Sequence, residues 1–133
     1  MSYAISAPLQ AAIYARLTEA LRVPVLDATD EARGGTWVLI GPEDVRDRSD
    51  VTGRGAEFRL VISVLSDASG FQEAKAVAGQ VGDALVRPLE LERGRVVGVW
   101  FDRAQARRLN AGRARRIDLT FRVRVEDNQM GDV

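Results

Sequence analysis

The strictest pattern in this sequence is an alternation of apolar and polar residues close to the carboxyl end of the chain. Five apolar side chains alternate there with five polar ones, namely Ile117, Leu119, Phe121, Val123 and Val125 with Arg116, Asp118, Thr120, Arg122 and Arg124. Successive side chains of a β-strand point to opposite faces of a sheet. The alternation therefore predicts a strand with one buried face, which includes Leu119, and one polar face, which includes Arg122.

A second strand is predicted to lead directly into a helix. Residues 56–66 alternate in the same way, and their apolar face carries Phe58, Leu60, Ile62 and Val64. The polar segment 67–70 ends the alternation, and apolar residues then recur at helical spacing from Phe71 to Leu85. Ser69 and Gln72 have the spacing of a capping box, which predicts that Ser69 caps the start of this helix.

The first half of the chain is predicted to contain one more helix and two short extended segments. Apolar spacing predicts a helix over residues 7–21, with Ser6 as its cap, and residues 23–26 are expected to be extended after it. Residues 36–40 are rich in β-branched and aromatic side chains and predict a strand. The polar segment 41–55 is predicted as a long loop and, because long ordered loops often bind partners, as a candidate binding loop.

A hairpin is predicted between the strand over residues 96–101 and the carboxyl-terminal strand. The sequence Asn110-Ala111-Gly112 fits a three-residue hairpin loop with glycine in the left-handed conformation. This loop would pair Leu109 with Arg113, Phe101 with Phe121, and Val99 with Val123. A two-residue loop would misalign the apolar faces, so we expect the three-residue loop. Residues 128–133 are predicted to be a frayed tail.

These elements predict a single domain over residues 1–133 with an α+β fold, in which an antiparallel β-sheet has two α-helices packed on one face. The open face of the sheet is expected to carry Arg59, Trp100, Arg116, Asp118, Arg122 and Arg124. A tryptophan among charges either tolerates water or is covered by a partner, so Trp100 is a candidate interface residue.

The composition excludes several kinds of site. The chain has no Cys and no His, which excludes disulfides, zinc sites of the Cys/His type and catalysis by Ser-His-Asp or Cys-His groups. The acids of segment 41–55 lack the spacing of an EF-hand calcium loop, and segment 66–70 is not a P-loop. We therefore predict no catalytic residue, no cofactor and no metal. We also see no signal peptide and no apolar stretch long enough to span a membrane.

The charges are segregated along the chain although their sum is zero. Residues 1–92 hold 9 basic and 14 acidic side chains, and residues 93–133 hold 10 basic and 5 acidic ones. Opposite patches of this kind attract, which favours head-to-tail association of copies, although sign also varies along sequences without any such role. The predicted contact joins an arginine-rich hairpin end, expected to project beyond the core, to the acidic loop of the next copy. Its candidate residues are Arg107, Arg108 and Arg113 on one side and Glu43, Asp44 and Asp47 on the other.

Several segments together resemble the tail terminator (tail completion) family of long-tailed phages and gene transfer agents. The order and spacing of the segments carry the resemblance, which covers nearly the whole chain. They are residues 1–4 (MSYA), 9–12 (LQAA), 14–17 (YARL), 43–47 (EDVRD), 52–57 (TGRGAE), 73–78 (EAKAVA) and 115–122 (RRIDLTFR).

The resemblance implies a structural protein of the virion or gene-transfer-agent particle, located at the head-proximal end of the tail and made in the bacterial cytoplasm. Members form a homohexameric ring that caps the tail tube, stops its polymerisation and joins it to the head-side connector or stopper protein. The implied partners are copies of the chain itself, the major tail tube protein and that connector. DNA would pass through the lumen without sequence-specific binding.

Two alternative functions remain open from the sequence. One is another ring component, such as a head–tail stopper or the tube protein. The other is a small nucleic-acid-binding module that uses the arginines between Arg103 and Arg116, although this stretch lacks the interleaved aromatic residues that stack on bases.

Overall fold

The computed structural model describes residues 3–30, 33–51 and 53–127, and it contains a five-stranded mixed sheet with two helices on one face. The elements are a 3-10 turn (Tyr3–Ile5), α1 (Ser6–Ala20), β1 (Val25–Leu26), β2 (Thr36–Asp47), β3 (Gly55–Ser66), α2 (Gln72–Leu85), β4 (Arg95–Leu109), a second 3-10 turn (Asn110–Gly112) and β5 (Ala114–Glu126). The strands lie in the order β1-β2-β3-β5-β4. The predicted α+β class and the predicted order of elements are confirmed. The predicted frayed tail at 128–133 lies outside the described residues.

The core lies between the two helices and the central strands β3 and β5. The apolar residues of β3 and β5 alternate as predicted, so Phe58 and Phe121 are almost fully buried against α2 and α1. Leu119 is 5% exposed, while Arg122 lies half-buried on the opposite, polar face. Full burial of each large apolar side chain contributes about 1.5–3 kcal/mol, so these two strands anchor the fold.

Neither of the two predicted helix caps forms. The residue before α1 is Ile5, which belongs to the preceding 3-10 turn, and Ser6 lies inside the helix. The residue before α2 is Phe71, in a helical conformation and without a side-chain cap. Both capping positions hold an apolar residue that packs on the core, and this packing, rather than a side-chain hydrogen bond, fixes the two helix starts.

The sheet is not wholly antiparallel as predicted, because β1 runs parallel to β2. Val25 and Leu26 pair with Val38 and Leu39, and the Val38 N–H donates to the Pro24 carbonyl at 2.9 Å. Because the two strands are parallel, β2 begins at the same end of the sheet as β1. The parallel pair is short and covers only the beginning of β2.

The acidic segment 41–55 is mostly strand, which corrects the predicted long loop. β2 continues to Asp47 through a bulge in which Gly41 and Pro42 together oppose Val61. Proline lacks an N–H donor and is accommodated where the ladder of hydrogen bonds is interrupted. Beyond the bulge, side chains again alternate between the two faces up to Asp47, and β3 begins at Gly55.

The hairpin between β4 and β5 differs from the prediction at its tip but not at its base. Leu109 pairs with Ala114 rather than with Arg113, so the turn has one residue more than expected. Asn110 and Ala111 both have positive φ there. Asp102 is the extra residue of a bulge in β4, and this bulge restores the predicted pairs Phe101–Phe121 and Val99–Val123.

Candidate subunit interface

The long strand β4 forms one edge of the sheet and is exposed over most of its length. Among the described residues, only β5 pairs with it. Phe101 was predicted to pair with Phe121 so that the apolar faces align, which implies burial, but it is 59% exposed, and Val97 and Trp100 are also exposed. The reason is that α2 packs on β3 and β5 and leaves β4 uncovered. An exposed, long and partly apolar edge strand is a surface on which another chain can add.

The two faces of β4 have different characters. On the polar face, Arg103 and Arg107 point away from the helices, in line with Thr120 and Arg116 of β5. On the helix-covered face, Ala104 and Ala106 lie beside the buried Leu119 and Ile117, and both alanines are exposed. Ala104, Ala106 and Phe101 thus form an exposed apolar row next to buried core residues. A partner that covers this row would extend the core across β4.

The predicted interface arginines already make contacts within the molecule. Arg107 forms an ion pair with Asp118 at 3.4 Å. The guanidinium of Arg108 lies over the ring of Phe71, 5.5 Å from its centroid. Arg113 belongs to the turn rather than to the strand, and its Nε donates to the Asn110 carbonyl at 3.2 Å. Arg107 and Arg108 therefore lie on the exposed edge, while Arg113 does not.

The arginine-rich hairpin does not project from the core as predicted. β5 pairs with β3 as far as the pair Arg115–Ser66, so only the turn and the residues next to it, 109–114, extend further. Arg115 is buried there, and its Nη1 donates to the carbonyls of Ala68 and Gly112. This arginine thus fixes the turn to the end of the sheet.

The predicted acidic residues lie on β2 at the opposite edge of the sheet. Glu43 accepts hydrogen bonds from the hydroxyls of Tyr3 and Ser6 and so holds the start of α1 against the sheet. The Asp44 carboxylate lies 3.3 Å from Arg46. The hydroxyl of Ser49 donates to Asp47 at 2.7 Å, and this bond lowers the pKa of Asp47.

β2 is a second free edge, because β1 covers only its first part. The pairs with β1 end at Leu39, and among the described residues only β3, on the inner side, pairs with β2 between Glu43 and Asp47. The acidic and basic candidate residues therefore lie on opposite edges of one sheet and cannot meet within one copy. They can meet between neighbouring copies.

The polar face of the sheet is organised by ion pairs across its strands. Arg122 lies over the ring of Trp100, 5.4 Å from its centroid, and reaches Glu57 at 3.2 Å. Arg59 pairs with Asp102 at 3.4 Å. Trp100 is 45% exposed even with this arginine stacked on it. The face combines an accessible aromatic ring with a dense set of charges, most of which have partners in the molecule.

Asp118 is the centre of a hydrogen-bonded group on this face. Its carboxylate accepts hydrogen bonds from the Ser63 hydroxyl at 2.6 Å and from Arg116 at 2.8 Å. Burial by itself would raise the pKa of Asp118. The bonds from Ser63 and Arg116 and the charges of Arg116 and Arg107 outweigh burial, so this pKa lies below its ordinary value of 3.8.

The lowered pKa of Asp118 predicts an acid-dependent loss of stability. A carboxyl group whose pKa is lower in the folded protein stabilises the fold above its unfolded pKa and loses this effect as pH falls through the folded pKa. We expect the free energy of unfolding of Asp118→Asn to lie below that of the parent at pH 7, and the difference to shrink at about pH 3. Urea unfolding of the parent and the variant at each pH measures these free energies. Asp83→Asn, on the exposed face of α2, is the matched control. An equal difference at the two pH values would contradict the prediction.

The described residues contain no group of side chains suited to a metal ion and no helix that could cross a membrane. A surface groove of about 790 Å³ runs along the start of α1 between Tyr3, Tyr14 and Asp27. It is an open groove without a cluster of titratable side chains. What this surface offers is two strand edges and a charged sheet face, which suit contacts between proteins.

Comparison with known proteins identifies the family. A family model described as tail completion protein gp17 matches residues 9–126. The chain belongs to this tail completion family. Among solved structures, a chain from the virion of a native gene transfer agent (GTA) particle is 51% identical and superposes with a TM-score of 0.83. The match covers 94% of this chain and 99% of that one. No curated protein matches the sequence.

This tail completion protein is therefore a structural tail component, and the resemblance seen in the sequence is confirmed. Family membership points to assembly rather than to catalysis, which agrees with a surface composed of strand edges. Sequence reasoning found the charged residues of both edges but missed the exposure of Phe101 and Val97. A signal was present, since after Phe101 the β4 sequence loses its large apolar residues and reads Asp-Arg-Ala-Gln-Ala-Arg-Arg, as expected of a strand exposed on both faces.

Proposed function

We propose that this tail completion protein forms a hexameric ring that terminates the tail tube and joins it to the head-side connector. The observation that carries the proposal is the similarity, at 51% identity over almost the whole of both chains, to a chain of a native gene transfer agent virion. The protein would act at the head-proximal end of the tail of such a particle. Its contacts would be with its own copies, the major tail tube protein and a connector or stopper protein.

The shape of the subunit supports a ring. Its two exposed edges differ in charge and lie on opposite sides of the sheet, so each copy can offer one edge to each of two neighbours. A contact between two different surfaces propagates from head to tail, and it closes into a ring when the rotation between copies divides a full turn. A closed ring leaves no free lateral contact, so further copies cannot add around it.

The nucleic-acid-binding alternative finds little support in the arginines. Arg116 is paired with Asp118, and Arg115 is buried against backbone carbonyls. Phosphate binding requires cations that are free to replace counterions. DNA would pass through the lumen of the ring without sequence-specific contacts.

Deletion of the gene tests the proposed function. Without the terminating ring, polymerisation of the tube has no stop, so we expect tubes of uncontrolled length that are not joined to heads. Electron microscopy of particles from the deletion strain measures tail length and attachment, and the parent gene supplied on a plasmid is the control. Tails of normal length joined to heads would reject the proposal.

A further inference from the structure

The two free strand edges carry opposite charges. The outer edge of β4 includes Arg107 and Arg108, and the free part of β2 includes Glu43 and Asp44. A free edge presents unpaired backbone N–H and C=O groups, to which a strand of another chain can add. Charge and backbone geometry therefore select the same two surfaces for a contact.

We infer that β4 of each copy pairs in antiparallel fashion with residues 43–47 of β2 in the next copy, so that the sheets of all copies join into one continuous closed sheet. This inference rests on the ring of the proposed function and names the contact that builds it. The occupant of the β4 edge is a second copy of the same chain.

The strand directions fit this contact. Each of the pairs β2–β3, β3–β5 and β5–β4 is antiparallel, so β2 and β4 run in opposite directions within one sheet. Rotation about a ring axis leaves the direction of every strand relative to that axis unchanged. β4 of one copy and β2 of the next therefore lie antiparallel, and closure of the ring removes both free edges.

The faces of the side chains select the register. Directly opposed residues of an antiparallel pair project from the same face of the sheet. Asp44 and Arg107 both project from the polar face, and Glu43 and Arg108 both project from the helix-covered face. One register places Asp44 opposite Arg107 and, at the same time, Glu43 opposite Arg108.

The residues between these charge pairs also match. The same register places Val45 opposite Ala106 on the helix-covered face. Val45 packs partly on the core, and Ala106 is exposed in the single copy. It also places Arg46 opposite Gln105 on the polar face. The contact thus extends the apolar core across the junction without burying an unpaired charge.

This register requires neighbouring copies to be shifted along the strands. Within one sheet Asp44 lies level with Trp100, so pairing with Arg107 is a displacement of seven residues (107 − 100). A closed sheet requires strands tilted by about 35–45° and a matching stagger. Across the four strands β2, β3, β5 and β4, spaced about 4.8 Å apart, that tilt gives a stagger of about 13–19 Å, or roughly four to six residues. The displacement of seven residues lies just above the upper end of this range and corresponds to a slightly larger tilt of the strands.

Cysteine cross-linking in assembled particles tests the inference. The chain has no Cys, so every disulfide comes from introduced residues. Arg46→Cys and Gln105→Cys occupy opposed positions whose Cα atoms would lie about 4.5–5.5 Å apart, within the range of a disulfide. In particles oxidised after purification, the double variant is expected to give a ladder of covalent oligomers that ends at the size of the ring. Each single variant is expected to give monomers.

The control combines Arg46→Cys with Gln80→Cys, which lies on the exposed face of α2. A ladder from this control would overturn the inference. Dimers from Gln105→Cys alone would also overturn it, because they would show that two β4 edges pair with each other. Absence of a ladder from the double variant, in particles whose tails have normal length and contain the protein, would also overturn it. That outcome leaves the proposed function standing, because the deletion experiment tests tail termination separately.

Discussion

Replacing Leu119 by aspartate is expected to unfold the protein. Leu119 is 5% exposed at the centre of β5 and faces the core between the sheet and the helices. Loss of a buried leucine side chain costs about 2–5 kcal/mol, and an unpaired buried carboxylate adds to this cost. Domains of this kind have a total stability of about 5–15 kcal/mol, so little or none would remain. Circular dichroism on heating should show a large loss of the melting temperature or no transition.

The matched control places the same residue type on the other face of the same strand. Arg122→Asp removes the ion pair with Glu57 and the contact with Trp100, both at a partly exposed site. We expect a cost of about 1 kcal/mol and a folded protein. If Leu119→Asp and Arg122→Asp melt at the same temperature, the facing of β5 is wrong.

Replacing Arg107 and Arg108 together by glutamate is expected to abolish ring assembly. A single exposed ion pair contributes only about 0–1 kcal/mol. The proposed register, however, makes two such pairs at every junction of the ring, and the substitution turns each attraction into repulsion between directly opposed like charges. The protein should be lost from purified tails, which mass spectrometry detects, and the tails should show the uncontrolled length expected of the deletion.

Reversal of the partner charges provides the discriminating control. Adding Glu43→Arg and Asp44→Arg to the same chain should restore assembly, because the opposed charges attract again. The restoration should be only partial, since the hydrogen bonds from Tyr3 and Ser6 to Glu43 are lost. The double variant Arg22→Glu, Arg87→Glu removes two exposed arginines far from β4 and should assemble normally. Arg113→Glu should also assemble, since Arg113 lies in the turn. Normal tails from the Arg107/Arg108 variant, with its folding confirmed, would show that β4 is not the junction.

Local patterns were sufficient to predict most of the fold. The alternation in β3 and β5 decided which residues face the core, because a strand with one buried face tolerates no shift by a single residue. The same constraint gave the pairs Phe101–Phe121 and Val99–Val123, although the turn was predicted one residue too short. Two compensating irregularities, a longer turn and the bulge at Asp102, left the base of the hairpin in register.

The sequence by itself therefore determined most of the elements and the buried faces of β3 and β5, because these depend on residues close together in the chain. It also determined the absence of Cys and His chemistry and, through the order and spacing of several segments, the family. The tertiary structure alone decided which strands are edges. The pattern of residues 96–101 in β4 resembled a covered strand, yet α2 packs mainly on β3 and β5 and Phe101 is exposed. Likewise, the acidic segment became an edge strand because the bulge at Gly41 and Pro42 let it pair with β3. Both outcomes depend on which distant segments pack together, and local sequence records this only in part, through the loss of large apolar residues after Phe101.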